Sequence, residues 1–122
     1  GHPDIPKDHR NIGQIVLIPG TMGTSSWVMV GTPRAMEVSF GSTAHGAGRY
    51  MSRTAATKKF WGADVKNRLE QRGILIRAQS MAVIAEESPE SYKDVDAVAE
   101  VSHQLGIATK VAQLVPIGVT KG

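Results

Sequence analysis

Residues 41–49 read GSTAHGAGR: one histidine, His45, is followed by Gly46, Ala47 and Gly48, preceded by Ser42 and Thr43, and closed by Arg49. An imidazole in such surroundings has three chemical uses: a neutral nitrogen that attacks an electrophile, a proton carrier, or a metal ligand. Glycines beside it remove Cβ atoms and let a bulky group such as a phosphate approach the main chain and its N–H donors. Arg49 adds a planar fork of donors suited to phosphate oxygens. The layout favours phosphoryl chemistry over acyl transfer, while the residues alone also fit a loop histidine beside a glycine-rich turn. The string is neither the three-glycine dinucleotide fingerprint nor a Walker A loop, which needs Gly-Lys-Ser/Thr.

Other chemistry-bearing residues are sparser. His2, His9 and His103 lack an i, i+4 partner and the HExxH spacing, and the chain has no cysteine, so a zinc site made by this chain alone is not expected. His103 falls late in a predicted helix, where an exposed cation near the C-terminus is the ordinary explanation. Glu86 and Glu87 are adjacent and are expected to point in different directions, which argues against a paired acid and base. Trp27, Phe60 and Trp61 are too scattered for a base-stacking platform and read as core. Residues 19–24, PGTMGT, carry two glycines and two threonines and have the makings of a nest of free N–H groups around an anion.

These residues need elements to hold them. The run QIVLIPG, 14–20, reads as a buried strand ended by a Pro-Gly turn, and SSWVMVGT, 25–32, as its partner. RYMSRTAATKKF, 49–60, has helix-compatible content; ADVKNRLEQRG, 63–73, is a clearer helix, with Val65 and Leu69 four apart and Gly73 as its stop. ILIRA, 74–78, follows as a strand. SPESYKDVDAVAEVSHQLG, 88–106, reads as a helix begun by Pro89, with Val95, Val98, Val101 and Leu105 at helical spacing and Gly106 as the stop. The tail KVAQLVPIGVTKG, 110–122, reads as one edge or bulged strand interrupted by Pro116. The fold class is α+β, mixed strands and helices, with no internal repeat, low-complexity segment or linker.

At 122 residues the chain has the size of one domain. It has no apolar run near the roughly 20 residues of a membrane span. Its first ten residues lack the apolar stretch of an export signal. With no cysteine, a reducing compartment, the cytoplasm, is the default expectation. The formal net charge is +3. Arg49, Arg53, Lys58, Lys59, Lys66, Arg68 and Arg72 lie in one stretch, which fits a solvated helix face and also allows a polyanion partner.

Four blocks, IPGTMGTSSWVMVGT, GSTAHGAGRYMSR, AEESPESYKDVD and the terminal PIGVTKG, together resemble the C-terminal part of the RtcB family of tRNA-splicing RNA ligases. The resemblance runs through essentially the whole chain in order. It implies that residues 1–122 are the C-terminal portion of a larger single-domain ligase fold. It also implies a GTP- and manganese-dependent RNA ligase that joins a 3′-phosphate or 2′,3′-cyclic phosphate end to a 5′-hydroxyl, as in tRNA splicing and RNA repair. In that family a histidine takes GMP as a covalent phosphoramidate before passing it to the RNA 3′-phosphate; the matching residue is His45, with Gly46, Ala47 and Gly48 lining the nucleotide phosphate. Guanosine is expected at Pro19, Gly20, Thr21 and Met22, at Ser26 and at Lys121. The family commonly has serine where this chain has Thr21, which keeps the hydroxyl.

The family's manganese ligands, histidines with an aspartate and a cysteine, match no residue here and are expected in a preceding N-terminal portion. That portion is one expected partner, beside RNA such as tRNA halves and an archease-type activator; by itself the chain is expected to be inactive. The alternatives are a non-catalytic nucleotide- or RNA-binding module and a structural fragment that folds on the missing portion, with an exposed strand edge prone to self-association.

Overall fold

Pro19 and Gly20 end the first apolar run, and the chain turns back there into its antiparallel partner. The computed structural model describes residues 2–122. In chain order its elements are β1 (Ile15–Ile18), β2 (Ser26–Gly31), α1 (Arg34–Ser39), α2 (Arg53–Lys59), α3 (Gly62–Gln71), β3 (Leu75–Ala78), α4 (Met81–Glu86), α5 (Val95–Gln104), β4 (Ala108–Leu114) and β5 (Gly118–Lys121), with 3-10 turns at Lys7–His9 and Pro89–Ser91. The fold is α+β, as expected. One sheet has the order β1-β2-β4, and a second pairs β3 with β5. The first is antiparallel throughout, with Ile18 opposite Trp27 and Ser26 opposite Leu114, and its register shifts at Val28/Met29. The second is parallel, with Ile76 opposite Val119.

Two expectations change here. The tail is not one interrupted strand. Pro116, which has no N–H to donate to a ladder, lies between β4 and β5, and these belong to different sheets. The segment begun by Pro89 is not one helix either. A 3-10 turn ends at Ser91, and α5 starts after Asp94, whose carboxylate accepts from the Asp96 N–H at 2.9 Å. Its inward face is Val95, Ala99 and Ser102, whereas Val101 and Leu105 are exposed. The short helices α1 and α4 carry too few turns for a periodic signal; α4 is marked by its cap, Ser80, whose hydroxyl accepts from the Val83 N–H at 3.3 Å.

Two clusters of buried side chains hold these layers. Ile18, Met29, Ala47, Val95, Ala99 and Ala108 form the first, where α5 covers one face of the three-stranded sheet. Ile15 and Leu17 on the opposite face are exposed. Met22, Val65, Leu69, Ile74, Ile76 and Ile84 form the second, between α3, α4 and the two-stranded sheet. The turn after β1 bridges the two: Ile18 is in one and Met22 in the other, and Arg72 of the α3 end donates to the Gly23 carbonyl at 2.8 Å. Of the aromatics read as core, Trp27 and Phe60 are partly buried against these clusters, but Trp61 is 74% exposed. It sits at the elbow between α2 and α3, where the next residue, Gly62, packs inward instead.

A Cβ built on Gly62 would lie 2.0 Å from the Met81 carbonyl oxygen. Alanine is the better helix former by about 1 kcal/mol, but this backbone contact decides the sign. Gly62→Ala should therefore destabilise the chain by about 1–3 kcal/mol, the usual cost of overpacking. Urea unfolding of both proteins measures this, and an unchanged or raised midpoint would contradict the close approach of α3 and α4.

Candidate active site

The glycine-rich block and the Pro-Gly turn lie side by side. The Ala47 N–H donates to the Pro19 carbonyl at 3.2 Å, and a Cβ on Gly46 would meet that oxygen at 3.5 Å. Ala47 is buried in the first core, while His45 beside it is exposed on a stretch without regular structure. The far side of the block is fixed as well. Gly48, at φ +75°, is in the left-handed region that favours glycine, and its carbonyl accepts from the Lys93 N–H at 2.9 Å. Arg49 and Tyr92 form an antiparallel bridge, and Tyr50 and Met51 both donate to the Ser91 carbonyl. His45 thus projects from a loop secured on both flanks.

The turn itself is not the open nest expected of PGTMGT. The Gly20 N–H donates to the Ser26 hydroxyl at 3.1 Å, the Thr21 N–H to the Thr24 hydroxyl at 2.9 Å, and the Gly23 N–H to the Thr21 hydroxyl at 3.2 Å. These donors hold the turn's own shape, because short hydroxyl side chains reach nearby main-chain groups more readily than a ligand does. The Met22 side chain is 1% exposed in the second core, so Met22 has only its main chain to offer a ligand. Thr21 and Ser26 keep hydroxyls at the turn, each already engaged within it.

Arg49 likewise departs from the expectation that it would meet a phosphate. Its Nε donates to the Met51 carbonyl at 3.0 Å and its Nη2 to the Glu86 carbonyl at 2.7 Å. Its Nη1 donates to Glu87 Oε1 at 3.3 Å and Tyr92 Oη at 3.0 Å, and the guanidinium lies 4.7 Å from the Tyr92 ring centre. Glu87 Oε2 also accepts from Tyr92 Oη at 2.7 Å and from Lys121 Nζ at 3.2 Å. Lys121 therefore reaches the glycine-rich block through Glu87 and Arg49. Glu86 and Glu87, expected to diverge, both face Arg53, whose Nε is 3.0 Å from Glu86 Oε1 and 3.9 Å from Glu87 Oε1. They are counter-ions rather than an acid and base.

Burial works to raise the pKa of Glu87, but the hydrogen bonds from Tyr92 and Lys121, with the charges of Lys121 and Arg49, together hold it below the ordinary carboxylate value. For Tyr92, burial and the hydrogen bond to Glu87 push the phenol up. Sequence reading missed Glu87 and Tyr92 as members of this group; the one available signal was that an arginine closing a glycine-rich loop needs a counter-charge.

Much of the basic stretch is also tied internally. Arg53 pairs with Glu86, Lys66 with Glu70 and Arg68 with Glu90, which favours a structural role for those positions. Among the described residues no group of three histidine, aspartate or glutamate side chains is arranged to hold a metal ion, and no helix is long and apolar enough to cross a membrane.

A sequence model of the family described as tRNA-splicing ligase RtcB matches residues 1–122. Proteins named tRNA-splicing ligase RtcB from Methanococcus maripaludis, Thermococcus kodakarensis and Pyrococcus furiosus are 56%, 53% and 55% identical to the chain over all 122 residues, which make up 25%, 25% and 13% of their own lengths. The chain thus spans a quarter or less of these curated relatives. With the family pattern matched from the first residue to the last, and more than half of the residues shared with each of these relatives, the chain belongs to the tRNA-splicing ligase RtcB family.

Proposed function

We propose that these 122 residues supply the guanylylation histidine and the guanosine-binding segments of a GTP-dependent RNA ligase, the C-terminal portion of a larger ligase fold. The observation that carries this reading is the juxtaposition of the exposed His45, with glycine beside it, and the Pro19 turn, joined by the Ala47 to Pro19 hydrogen bond. In the reaction, a neutral His45 nitrogen attacks the α-phosphorus of GTP; an N–P bond forms, the P–O bond to the β-phosphate breaks, and pyrophosphate departs with the electron pair. His45 then yields the guanylyl group to an RNA 3′-phosphate, and the activated end is taken by a 5′-hydroxyl with release of GMP. The segments at Pro19, Gly20, Thr21 and Met22, with Ser26, Gly46, Ala47, Gly48 and Lys121, are the proposed nucleotide contacts, with Met22 acting through its main chain. Ligation of RNA as a substrate follows the name its relatives carry.

The described residues do not fit a manganese site, so the metal's ligands are assigned to the portion of the relatives that this chain does not span. By itself the chain should therefore form no covalent adduct with GTP and manganese. Supplied with the remaining portion of a relative, it should gain one GMP at His45, and His45→Ala should abolish the gain. Intact-mass and peptide-mass spectrometry read both results; an adduct on the chain alone, or at a residue other than His45, would overturn the assignment.

Gly46 offers a second test. An added Cβ meets only ordinary contacts, 3.5 Å from the Pro19 oxygen and 3.8 Å from the Pro19 ring. Gly46→Ala should thus change stability by no more than about 0.5 kcal/mol, as for most surface substitutions. If the missing Cβ leaves room for the nucleotide phosphate, the same variant should guanylylate about tenfold or more slowly, since small misplacements at a reacting centre cost that much. Wild-type labelling kinetics in a normally folded Gly46→Ala protein would show that the space has another purpose.

A further inference from the structure

Glu87 belongs neither to the glycine-rich block nor to the tail, yet it joins the Arg49 side chain of the one to the Lys121 side chain of the other. Its main chain is set by the end of α4, where its N–H donates to the Val83 carbonyl at 3.0 Å. Its side chain is 12% exposed. A carboxylate that far from water is costly unless its lone pairs are filled. Here Tyr92 and Lys121 fill one oxygen, while Arg49 donates to the other and Arg53 stands 3.9 Å from it. Three cations, Arg49, Arg53 and Lys121, and the Tyr92 phenol surround the two carboxylates of Glu86 and Glu87.

Lys121 gains its geometry from this. An unrestrained lysine is a flexible point charge, whereas an ammonium anchored by one strong acceptor presents its remaining donors in fixed directions. Lys121 Nζ pairs with Glu87 Oε2, and with part of the side chain open to solvent it has two donors left. The same carboxylate steadies Arg49, whose other donors brace the Met51 carbonyl after the glycine-rich block and the Glu86 carbonyl at the end of α4. We infer that Glu87 is a positioning residue that sets nucleotide affinity through Lys121, holding the ammonium where a nucleotide acceptor atom meets it, and takes no part in the transfer itself. This rests on the reading of Lys121 as a nucleotide contact.

The test is a double-substitution cycle in the ligase reconstituted from this chain and the remaining portion of a relative, using GTP and the rate of His45 guanylylation. Glu87→Gln should raise the half-saturating GTP concentration about tenfold, as expected for losing a hydrogen bond to a charged group, and leave the maximal rate within about twofold. Lys121→Ala should do the same, and the double variant should be no worse than Lys121→Ala. Additive effects, a loss confined to the maximal rate, or wild-type behaviour of Glu87→Gln would each overturn the inference. If Glu87→Gln does not fold, Glu87→Asp takes its place; with its charge kept and its reach shortened, it should give a smaller rise of the same kind.

Two further readings separate the failure modes. Acetylation of Lys121 in the chain alone, measured against exposed Lys58, should quicken in Glu87→Gln whether or not GTP is the substrate; an unchanged rate would show that Glu87 does not hold the lysine. Absence of any His45 adduct in the wild-type protein would instead sink the ligase reading. The pH dependence of stability is a companion measurement. With its pKa lowered by folding, Glu87 stabilises the wild-type chain fully above its ordinary value of 4.5, and that contribution is lost as pH falls through the folded value. Glu87→Gln should be less stable at neutral pH and lose less on acidification; equal acid losses in both proteins would contradict the charged network of Arg49, Arg53, Tyr92 and Lys121 around it.

Discussion

The hydrogen bond from the Ala47 amide to the Pro19 carbonyl joins the two loops on which the proposed chemistry depends. A glycine-rich loop left to itself samples many conformations, and an imidazole on it would have no defined position. Here the loop is held on one side by that bond and by burial of Ala47, and on the other by pairing of Gly48 to Met51 with Ser91 and Lys93. The small residues around His45 thus reconcile two demands: little bulk near the ring, and enough main-chain bonding to keep the ring in place. The turn across from it is secured in the same way, by the hydroxyls of Thr21, Thr24 and Ser26 within and by Met22 and Arg72 beneath.

Charge is organised around that frame rather than spread over it. Arg49, the residue best suited by type to a phosphate, directs its donors to Met51, Glu86, Glu87 and Tyr92. Its contribution is to hold the loop, and Lys121 at the end of β5, its ammonium bonded among the described residues to Glu87 alone, keeps donors to spare. A half-buried carboxylate among three cations and a phenol is strongly favoured only when all of them are present, so this network couples the tail, the end of α4 and the loop after His45.

The strands β1, β2 and β3 and the helices α2 and α3 were legible because apolar runs, Pro-Gly punctuation and the Gly73 stop are local signals. The late start of α5 was not, since the backbone at Tyr92 is taken up by a bridge to Arg49 that no window of sequence can show. Trp61 misled for a related reason: its neighbour Gly62 fills the inward position by allowing backbone to approach backbone, leaving the large ring outside. At the candidate site, the residue types pointed to His45 and the Pro-Gly turn, and only the family resemblance added Lys121. Neither revealed that the Gly20, Thr21 and Gly23 N–H groups are satisfied within the turn or that Glu87 ties Lys121 to Arg49, because both facts depend on which side chains the fold brings within hydrogen-bond reach.

The central claim is that the imidazole of His45 is the nucleophile that carries the guanylyl group. The most direct measurement is phosphorus-31 NMR of the reconstituted ligase after reaction with GTP, with the histidines of this chain labelled with nitrogen-15. A phosphorus resonance split by one histidine nitrogen, and lost in His45→Ala, is the predicted result. A guanylyl phosphorus with no nitrogen coupling to histidine, or one bonded to the nitrogen of a lysine such as Lys121, would contradict the account.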